Sequence, residues 1–154
     1  MANNVTTAPF QDGRSLYDRD YYTWALEQAQ ALKKHRLDGL DWENLAEEVD
    51  DLARSEKREL RNRLKVLLAH LLKWKFQPKR QSRSWEATVA VQRAELTQNL
   101  RDNPGLKSSV PGLLADAYET ARIDVATRLS GQAQPPQLCP WNFEQIMEEG
   151  FRPE

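Results

Sequence analysis

The chain has 154 residues, a formal net charge of -1, a hydrophobic share of 40% and a charged share of 29%. These values suit one globular domain and exclude a low-complexity or collagen-like chain. The near-zero net charge argues against general coating of nucleic acid or membrane, because such binding would need a local basic patch. Cys139 is the only cysteine, so one chain can form neither an internal disulfide nor a cysteine-based zinc site.

The N-terminal segment, residues 1–14, is polar and contains Pro9 and Gly13. This composition predicts a flexible arm that precedes a single domain over residues 15–154. The segment lacks the basic and apolar regions of a signal peptide. Residues 64–72 are the longest apolar-rich stretch, and a membrane span needs about 20 such residues. We therefore predict a cytoplasmic protein without membrane association, in a reducing compartment that a single cysteine suits.

The first predicted helix begins at Ser15 or Asp18, because a short polar side chain can accept a hydrogen bond from a free backbone N–H. Apolar and small residues recur along it at three- and four-residue spacing and predict its buried face. That face comprises Tyr21, Trp24, Ala25, Gln28, Ala31 and Leu32. Asp38 and Gly39 are predicted to end the helix, since glycine readily adopts the positive φ of a helix C-terminus.

The second predicted helix is very long and runs from a cap at Asp41 to about Phe76, because Pro78 prevents continuation. No proline or glycine lies between these bounds. We therefore favour one continuous helix over two, despite a polar interruption near Ser55. A repeated apolar stripe predicts a buried face along both parts of this helix. The stripe comprises Leu45, Val49, Leu52, Leu60, Leu64, Leu67, Leu71 and Trp74.

Two further helices follow a basic connection. Ser82 or Ser84 caps the third, which ends at residues 102–105, where Asn-Pro-Gly is a strong stop signal. The fourth begins near Pro111 and ends at Gly131. The predicted buried residues of the third helix are Trp85, Thr88, Val89, Gln92, Leu96 and Leu100. Those of the fourth helix are Leu114, Ala117, Tyr118, Ala121, Val125 and Leu129.

A proline-rich extended segment, residues 132–140, precedes a short last helix that Gly150 closes. We expect Leu138, Trp141 and Phe143 to anchor this part of the chain over the other helices. The apolar residues of the last helix are Phe143, Ile146 and Met147. No run alternates as a strand would. The sequence therefore predicts an all-α fold, an antiparallel bundle of four main helices with a very long second helix and a short C-terminal helix.

Five blocks of sequence carry a family resemblance. They read YDRDYYTWALEQAQAL from Tyr17, LDWENLAEEVDDLARSEKRELRNRLKVLLAHLLKWKFQP from Leu40, SRSWEATVAVQRAEL from Ser82, DNPGLK from Asp102 and CPWNFEQIMEEGFRPE from Cys139. Through these blocks the chain resembles the bacterial domain-of-unknown-function family number twenty-nine. The resemblance implies a single all-helical domain found widely in cyanobacteria and proteobacteria. It implies no activity and no catalytic residue, because the family has none assigned.

Charge is sorted along the second helix: acids prevail over residues 41–59, and every charged residue between Glu59 and Glu86 is basic. Cations displace phosphate counterions and aromatic rings stack on unpaired bases, so a surface with both could bind nucleic acid. The candidate surface, called here the basic corner, comprises Lys73, Lys75, Lys79, Arg80, Arg83 and Trp85. The same pattern also suits a solvated rim whose charges complement the helix dipole.

A second candidate site involves the acids of the second helix. Glu43, Glu47 and Asp51 lie one turn apart on one face, and with His70 they could hold a divalent cation for hydrolysis. The acids equally suit an exposed, salt-bridged face, and His70 suits the edge of the core with a hydrogen bond to a neighbouring helix. No motif places a nucleophile beside His70. We therefore assign no catalytic residue, no metal site and no cofactor.

The sequence favours a small cytoplasmic binding or regulatory module without catalytic activity, because a strong predicted core and sorted surface charge occur without a catalytic motif. The partner could be an unidentified protein or a second copy of the chain, since helices with opposite-sign halves can pair antiparallel. Nucleic-acid binding through residues 61–85 is one alternative. A metal-dependent hydrolase that uses the carboxylates of the second helix is another.

Overall fold

The computed structural model describes residues 13–132 and 134–154, so the predicted arm lies outside the described residues except for its last two positions. In this part of the chain all regular secondary structure is helical. The helices are α1 Leu16–Arg19, α2 Tyr21–Lys33, α3 Trp42–Phe76, α4 Arg83–Asp102, α5 Val110–Arg128 and α6 Phe143–Met147. The predicted all-α fold is confirmed, with its very long second helix (α3) and short C-terminal helix (α6).

The chain divides into two compact units. The N-terminal unit ends at Leu52 and contains α1, α2 and the first turns of α3. The C-terminal unit, Ala53–Glu154, contains the rest of α3 together with α4, α5 and α6.

The first predicted helix is in fact two helices. Ser15 caps α1 as predicted, since its Oγ accepts a hydrogen bond from the N–H of Asp18 at 3.3 Å. Asp20 then leaves the helical conformation and caps α2, because its carboxylate accepts the N–H of Thr23 at 3.0 Å. The prediction of one helix from this cap was wrong because a second capping residue competes with continuation of the first turn.

α2 ends at Lys33, six residues before the predicted stop at Gly39. His35 adopts a φ of 53°, and the N–H of Arg36 donates to the carbonyl of Ala31 at 2.9 Å. This is the Schellman geometry of a helix end, formed here without glycine. Gly39 instead lies in a 3-10 turn, where an added Cβ would lie 3.4 Å from that of Ala31.

Asp41 joins α2 to the start of α3. Its Oδ1 accepts the N–H of Asn44 at 3.3 Å, which confirms the predicted cap. Its Oδ2 accepts the indole N–H of Trp24 at 3.0 Å, and its own N–H donates to Gln28 Oε1 at 2.7 Å. Trp24 and Gln28 are buried on α2. The cap of α3 therefore also closes the turn between α2 and α3.

α3 is one uninterrupted helix of 35 residues, as predicted. Its apolar stripe is buried only in the C-terminal unit, where Leu60 and Leu64 are 0% exposed. In the N-terminal unit Val49 is 63% and Leu52 is 68% exposed, and Leu45 is half-buried. The prediction of a buried face along both parts of the helix was wrong, because no neighbouring element within the described residues covers Val49 and Leu52.

The C-terminal unit is built on antiparallel packing of α3 and α4. The amide of Asn103, after the end of α4, donates to Glu56 early in this part of α3 at 3.2 Å. At the other end His70 faces Trp85, with ring centroids 6.4 Å apart. Ser82 caps α4 as predicted by accepting the N–H of Trp85 at 3.4 Å.

α5 completes the core of the C-terminal unit and runs parallel to α3. All six residues predicted for its inner face are buried, and Ala117, Ala121 and Val125 are fully so. They pack with leucines of α3 and with Val89, Leu96 and Leu100 of α4.

The C-terminal strap, residues 134–154, packs against this core. Ile146 is fully buried, and the hydroxyl of Tyr118 donates to the carbonyl of Pro136 at 2.7 Å. Cys139 is half-buried and its thiol donates to the carbonyl of Trp141 at 3.3 Å. The expectation that Leu138 anchors the strap was wrong, since its side chain is 81% exposed.

The side chain of Arg93 on α4 holds the strap by bonding to two backbone carbonyls of the strap. Its Nε donates to the carbonyl of Ile146 at 2.8 Å, and its Nη2 donates to the carbonyl of Phe151 at 3.1 Å. Arg152 adds an ion pair with Glu86 at 3.1 Å. A guanidinium suits this position because its N–H donors point in different directions within one plane, so that Nε and Nη2 can each bond to a different carbonyl.

Candidate functional site

A cleft of about 500 Å³ lies where the connection from α3 to α4 meets the end of α5. We call it the basic cleft, because three cations line it together with apolar and neutral polar groups. The cations are Lys79, Arg80 and Arg128, and the other lining residues are Phe76, Gln77, Pro78, Leu129, Ser130 and Gln132. All of these residues belong to the C-terminal unit.

Local backbone geometry positions these cations. Pro78 cannot continue α3 and begins the 3-10 turn Pro78–Arg80, which carries Lys79 and Arg80. On the other side, α5 ends at Arg128, and Ser130 and Gly131 adopt φ values of 51° and 77° that turn the chain away. The basic side chains therefore come from two helix ends that lie at the same end of the C-terminal unit.

Two of the three cations in the basic cleft lack counterions. The side chains of Lys79 and Arg80 are exposed and form no hydrogen bond or ion pair with any residue that the structure describes. Arg128 is partly neutralised, because its Nε donates to Asp124 at 3.1 Å. An anion in the cleft would thus meet at least two uncompensated positive charges.

The structure separates the six residues of the basic corner. Lys79 and Arg80 line the basic cleft, whereas Lys73, Lys75, Arg83 and Trp85 do not. The ammonium of Lys75 donates to the carbonyl of Glu154 at 2.5 Å, so it contacts the strap. Lys73 is half-buried near His70, and Arg83 is exposed without a side-chain partner in the described part of the chain.

Arg128 was missed in the sequence because it lies far from the basic corner along the chain. A signal was available: consecutive helices with short connections alternate in direction, so the C-termini of α3 and α5 lie at one end. A basic residue in the last turn of α5 could therefore have been expected near Lys79.

His70 is half-buried on α3, and its Nδ1 lies 2.8 Å from the carbonyl of Val66. The expectation that His70 bonds to a neighbouring helix is wrong, since its hydrogen-bond partner, Val66, lies one turn earlier on the same helix. Trp85 of α4 contacts the imidazole ring instead. Burial lowers the pKa of His70 below its ordinary 6.5, and the positive charge of Lys73 lowers this pKa further.

We expect His70 to reduce the stability of the protein in acid. Because the folded-state pKa of His70 lies below its unfolded value, the unfolded chain binds more protons once the pH falls through 6.5, and the free energy of unfolding decreases. His70→Gln should flatten the fall in unfolding free energy between neutral and mildly acidic pH, as measured by urea denaturation. An equal slope in both proteins would contradict this assignment.

The acidic face of α3 contains a residue with a structural role. Glu48 accepts hydrogen bonds from the hydroxyls of Tyr17 at 2.6 Å and Tyr21 at 2.8 Å. The first bond raises the pKa of Tyr17 to about 12. Over residues 13–132 and 134–154, no three His, Cys, Asp or Glu side chains are grouped so that they could hold a metal ion. The metal-dependent alternative, with Glu43, Glu47, Asp51 and His70, stays a prediction.

Comparison with known proteins gives a match to a protein family. No curated protein and no solved structure matches the chain. None of the described helices is both long enough and apolar enough to span a membrane. The family described as Domain of unknown function DUF29 matches residues 16–152, which confirms the resemblance carried by the five sequence blocks. The chain, with its long α3 and all-helical fold, therefore belongs to the DUF29 family.

Proposed function

We propose that this chain is a bacterial, cytoplasmic binding module that takes an anionic ligand in the basic cleft and performs no chemistry of its own. The observation that supports this is the convergence of Lys79, Arg80 and Arg128 on one cleft of about 500 Å³. A single cysteine suits a reducing cytoplasm.

The chemistry of the basic cleft favours a phosphate-bearing ligand. Arginine presents planar paired donors that match phosphate oxygens, and lysine adds a flexible point charge. Phe76, Pro78 and Leu129 supply apolar surface next to these cations. The volume lies in the range of small-molecule sites, about 300–1,000 Å³, so a phosphate with an attached organic group would fit.

Single-stranded nucleic acid is the second candidate ligand. Lys79, Arg80 and Arg83 lie within five positions, are all exposed and have no side-chain counterion among the described residues. Such a run can neutralise successive backbone phosphates. The half-exposed ring of Trp85 could then stack on a base next to the bound phosphates.

The test is binding of fluorescent single-stranded and duplex oligonucleotides, with tripolyphosphate as competitor, measured by anisotropy at low and near-physiological salt. Arg80→Glu and Arg128→Glu should each weaken binding about tenfold or more and reduce the salt slope, because each removes a charged contact. Arg101→Glu is the matched control, since Arg101 is exposed on α4 and does not line the cleft.

The outcomes separate the two candidates. If Arg83→Glu weakens oligonucleotide binding as much as Arg80→Glu does, the ligand extends beyond the cleft and nucleic acid is favoured. If Arg83→Glu has no effect and tripolyphosphate competes fully, a compact phosphate ligand is favoured. No binding of either probe at low salt, or equal loss in Arg101→Glu, would contradict the proposed function.

A further inference from the structure

The first turns of α3 present an apolar row, which we call the apolar seam and of which all members except the half-buried Leu45 are exposed. It comprises Trp42, Leu45, Val49 and Leu52, spaced by three, four and three residues. Trp42 is 61% exposed, and Val49 and Leu52 are exposed to a similar degree. This spacing is that of a helix that packs against a second helix along one side. Apolar side chains that are exposed together on one helix face are typical of interaction sites.

Charge restricts what can cover the apolar seam. The segment Trp42–Leu52 carries five carboxylates, Glu43, Glu47, Glu48, Asp50 and Asp51, and no basic residue. Glu48 already accepts two tyrosine hydroxyls in the N-terminal unit. Glu47 and Asp51 lie on the opposite face of the helix and also have interactions within the chain. The exposed carboxylates that adjoin the seam in sequence are Glu43, next to Trp42, and Asp50, next to Val49. A partner with basic residues beside its apolar stripe would be attracted, whereas an acidic partner would be repelled.

A second copy of this chain fits the apolar seam poorly. Two such seams packed together would place two acidic segments without a basic residue side by side in either orientation, so their net charges would repel. The basic part of α3 cannot serve as the partner helix, because its own apolar residues, such as Leu60 and Leu64, are fully buried in the C-terminal unit. Antiparallel pairing of the opposite-sign halves of α3 therefore has no matching apolar surface to bury.

We propose that the apolar seam docks an amphipathic helix of another protein whose apolar stripe is flanked by lysine and arginine. Leucine-like side chains of that helix pack against Val49 and Leu52, and its cations lie near the carboxylates of α3. This surface is in the N-terminal unit and is independent of the basic cleft, so either proposal can fail alone.

The probe is a synthetic helix of about 18 residues, five turns, with leucine on one face and lysine on the other. A counterpart with glutamate in place of lysine tests the charge. Labelled peptides are titrated with the full chain and followed by anisotropy. We expect the lysine peptide to bind at least tenfold more tightly than the glutamate peptide, and its affinity to fall with added salt.

The double variant Val49→Gln with Leu52→Gln removes apolar surface without changing charge. We expect it to lose at least tenfold in affinity for the lysine peptide, because burial of such side chains drives the association. Val91→Gln with Ile123→Gln is the matched control, since both residues are exposed apolar residues of the C-terminal unit, at 53% and 52%. This control should bind within twofold of the unchanged protein.

Four results would overturn the proposal. The first is absence of lysine-peptide binding, and the second is equal binding of both peptides. The third is equal loss in the two double variants, which would indicate non-specific adsorption. The fourth is sedimentation of the unchanged protein as a dimer that Val49→Gln with Leu52→Gln converts to a monomer, because a second copy would then cover the seam.

Discussion

Leu64→Ala is expected to lower the free energy of unfolding by about 3–5 kcal/mol, because a cavity would replace a fully buried side chain in the core of the C-terminal unit. Leu52→Ala removes the same atoms from the same helix. It is expected to change the free energy of unfolding by less than about 0.5 kcal/mol, since its side chain is 68% exposed. A domain of this size has a total stability of only about 5–15 kcal/mol, so the first change is severe.

Urea denaturation followed by circular dichroism measures both variants. Leu64→Ala should shift the midpoint of unfolding strongly to lower urea, whereas Leu52→Ala should leave it nearly unchanged. Similar losses in the two variants would mean that a further contact buries Leu52 in solution. Sedimentation in parallel would then show whether that contact comes from a second copy.

Arg93→Ala is expected to lower the free energy of unfolding by about 2–3 kcal/mol, because hydrogen bonds that involve a charged group contribute about 1.5–3 kcal/mol. The substitution leaves the carbonyls of Ile146 and Phe151 without their shared donor. The loss should be greatest at the C-terminal strap. Limited proteolysis should therefore cleave this variant within residues 134–154 sooner than it cleaves the unchanged protein.

Arg101→Ala is the control for Arg93→Ala. Arg101 lies on the same helix but is exposed, and within the described part of the chain its side chain bonds only to Gln98, at 3.4 Å. Its replacement should change stability by less than about 0.5 kcal/mol and leave proteolysis of the strap unaltered. If the two variants behave alike, Arg93 does not hold the strap.

The helices that could be predicted from sequence are those with unambiguous ends and a face that is covered along at least part of the helix. α3 has a capping aspartate at its start, a proline after its end and no helix breaker between, and it runs as one helix. Every predicted inner residue of α5 is buried. In these segments local propensity and tertiary packing favour the same conformation, so a periodic pattern is sufficient.

The errors occur where periodicity does not determine the outcome. Asp20 and Ser15 are both good caps, and the sequence does not show that both are used. His35 ends α2 in a conformation that is usually adopted by glycine. Val49 and Leu64 have equivalent apolar spacing, but among the residues that the structure describes only Leu64 has neighbours that cover it. Burial depends on which elements pack together, and this information is not local.

The basic cleft shows the same limit for the candidate site. Lys79 and Arg80 are adjacent in sequence, so a local charge pattern could find them. Arg128 reaches the cleft because α3 and α5 end side by side, which is a property of the fold. Lys73 and Trp85 share the charge pattern and the aromatic pattern of the basic corner, but their positions on α3 and α4 direct them toward His70.

The contacts of the C-terminal strap also determine the order in which parts of the chain can fold during synthesis. Tyr17 and Glu48 are 31 positions apart, so the N-terminal unit can close while most of the chain is still to be made. Arg93 can form its hydrogen bond to Phe151 only after the chain has grown by 58 more residues. Lys75 can form its hydrogen bond to Glu154 only after 79 more residues. Closure of long loops is slow compared with local helix pairing. Packing of the strap against α3 and α4 is therefore expected to be the last step in the folding of these residues. Until then a nascent chain exposes the faces of α3 and α4 that the strap will cover.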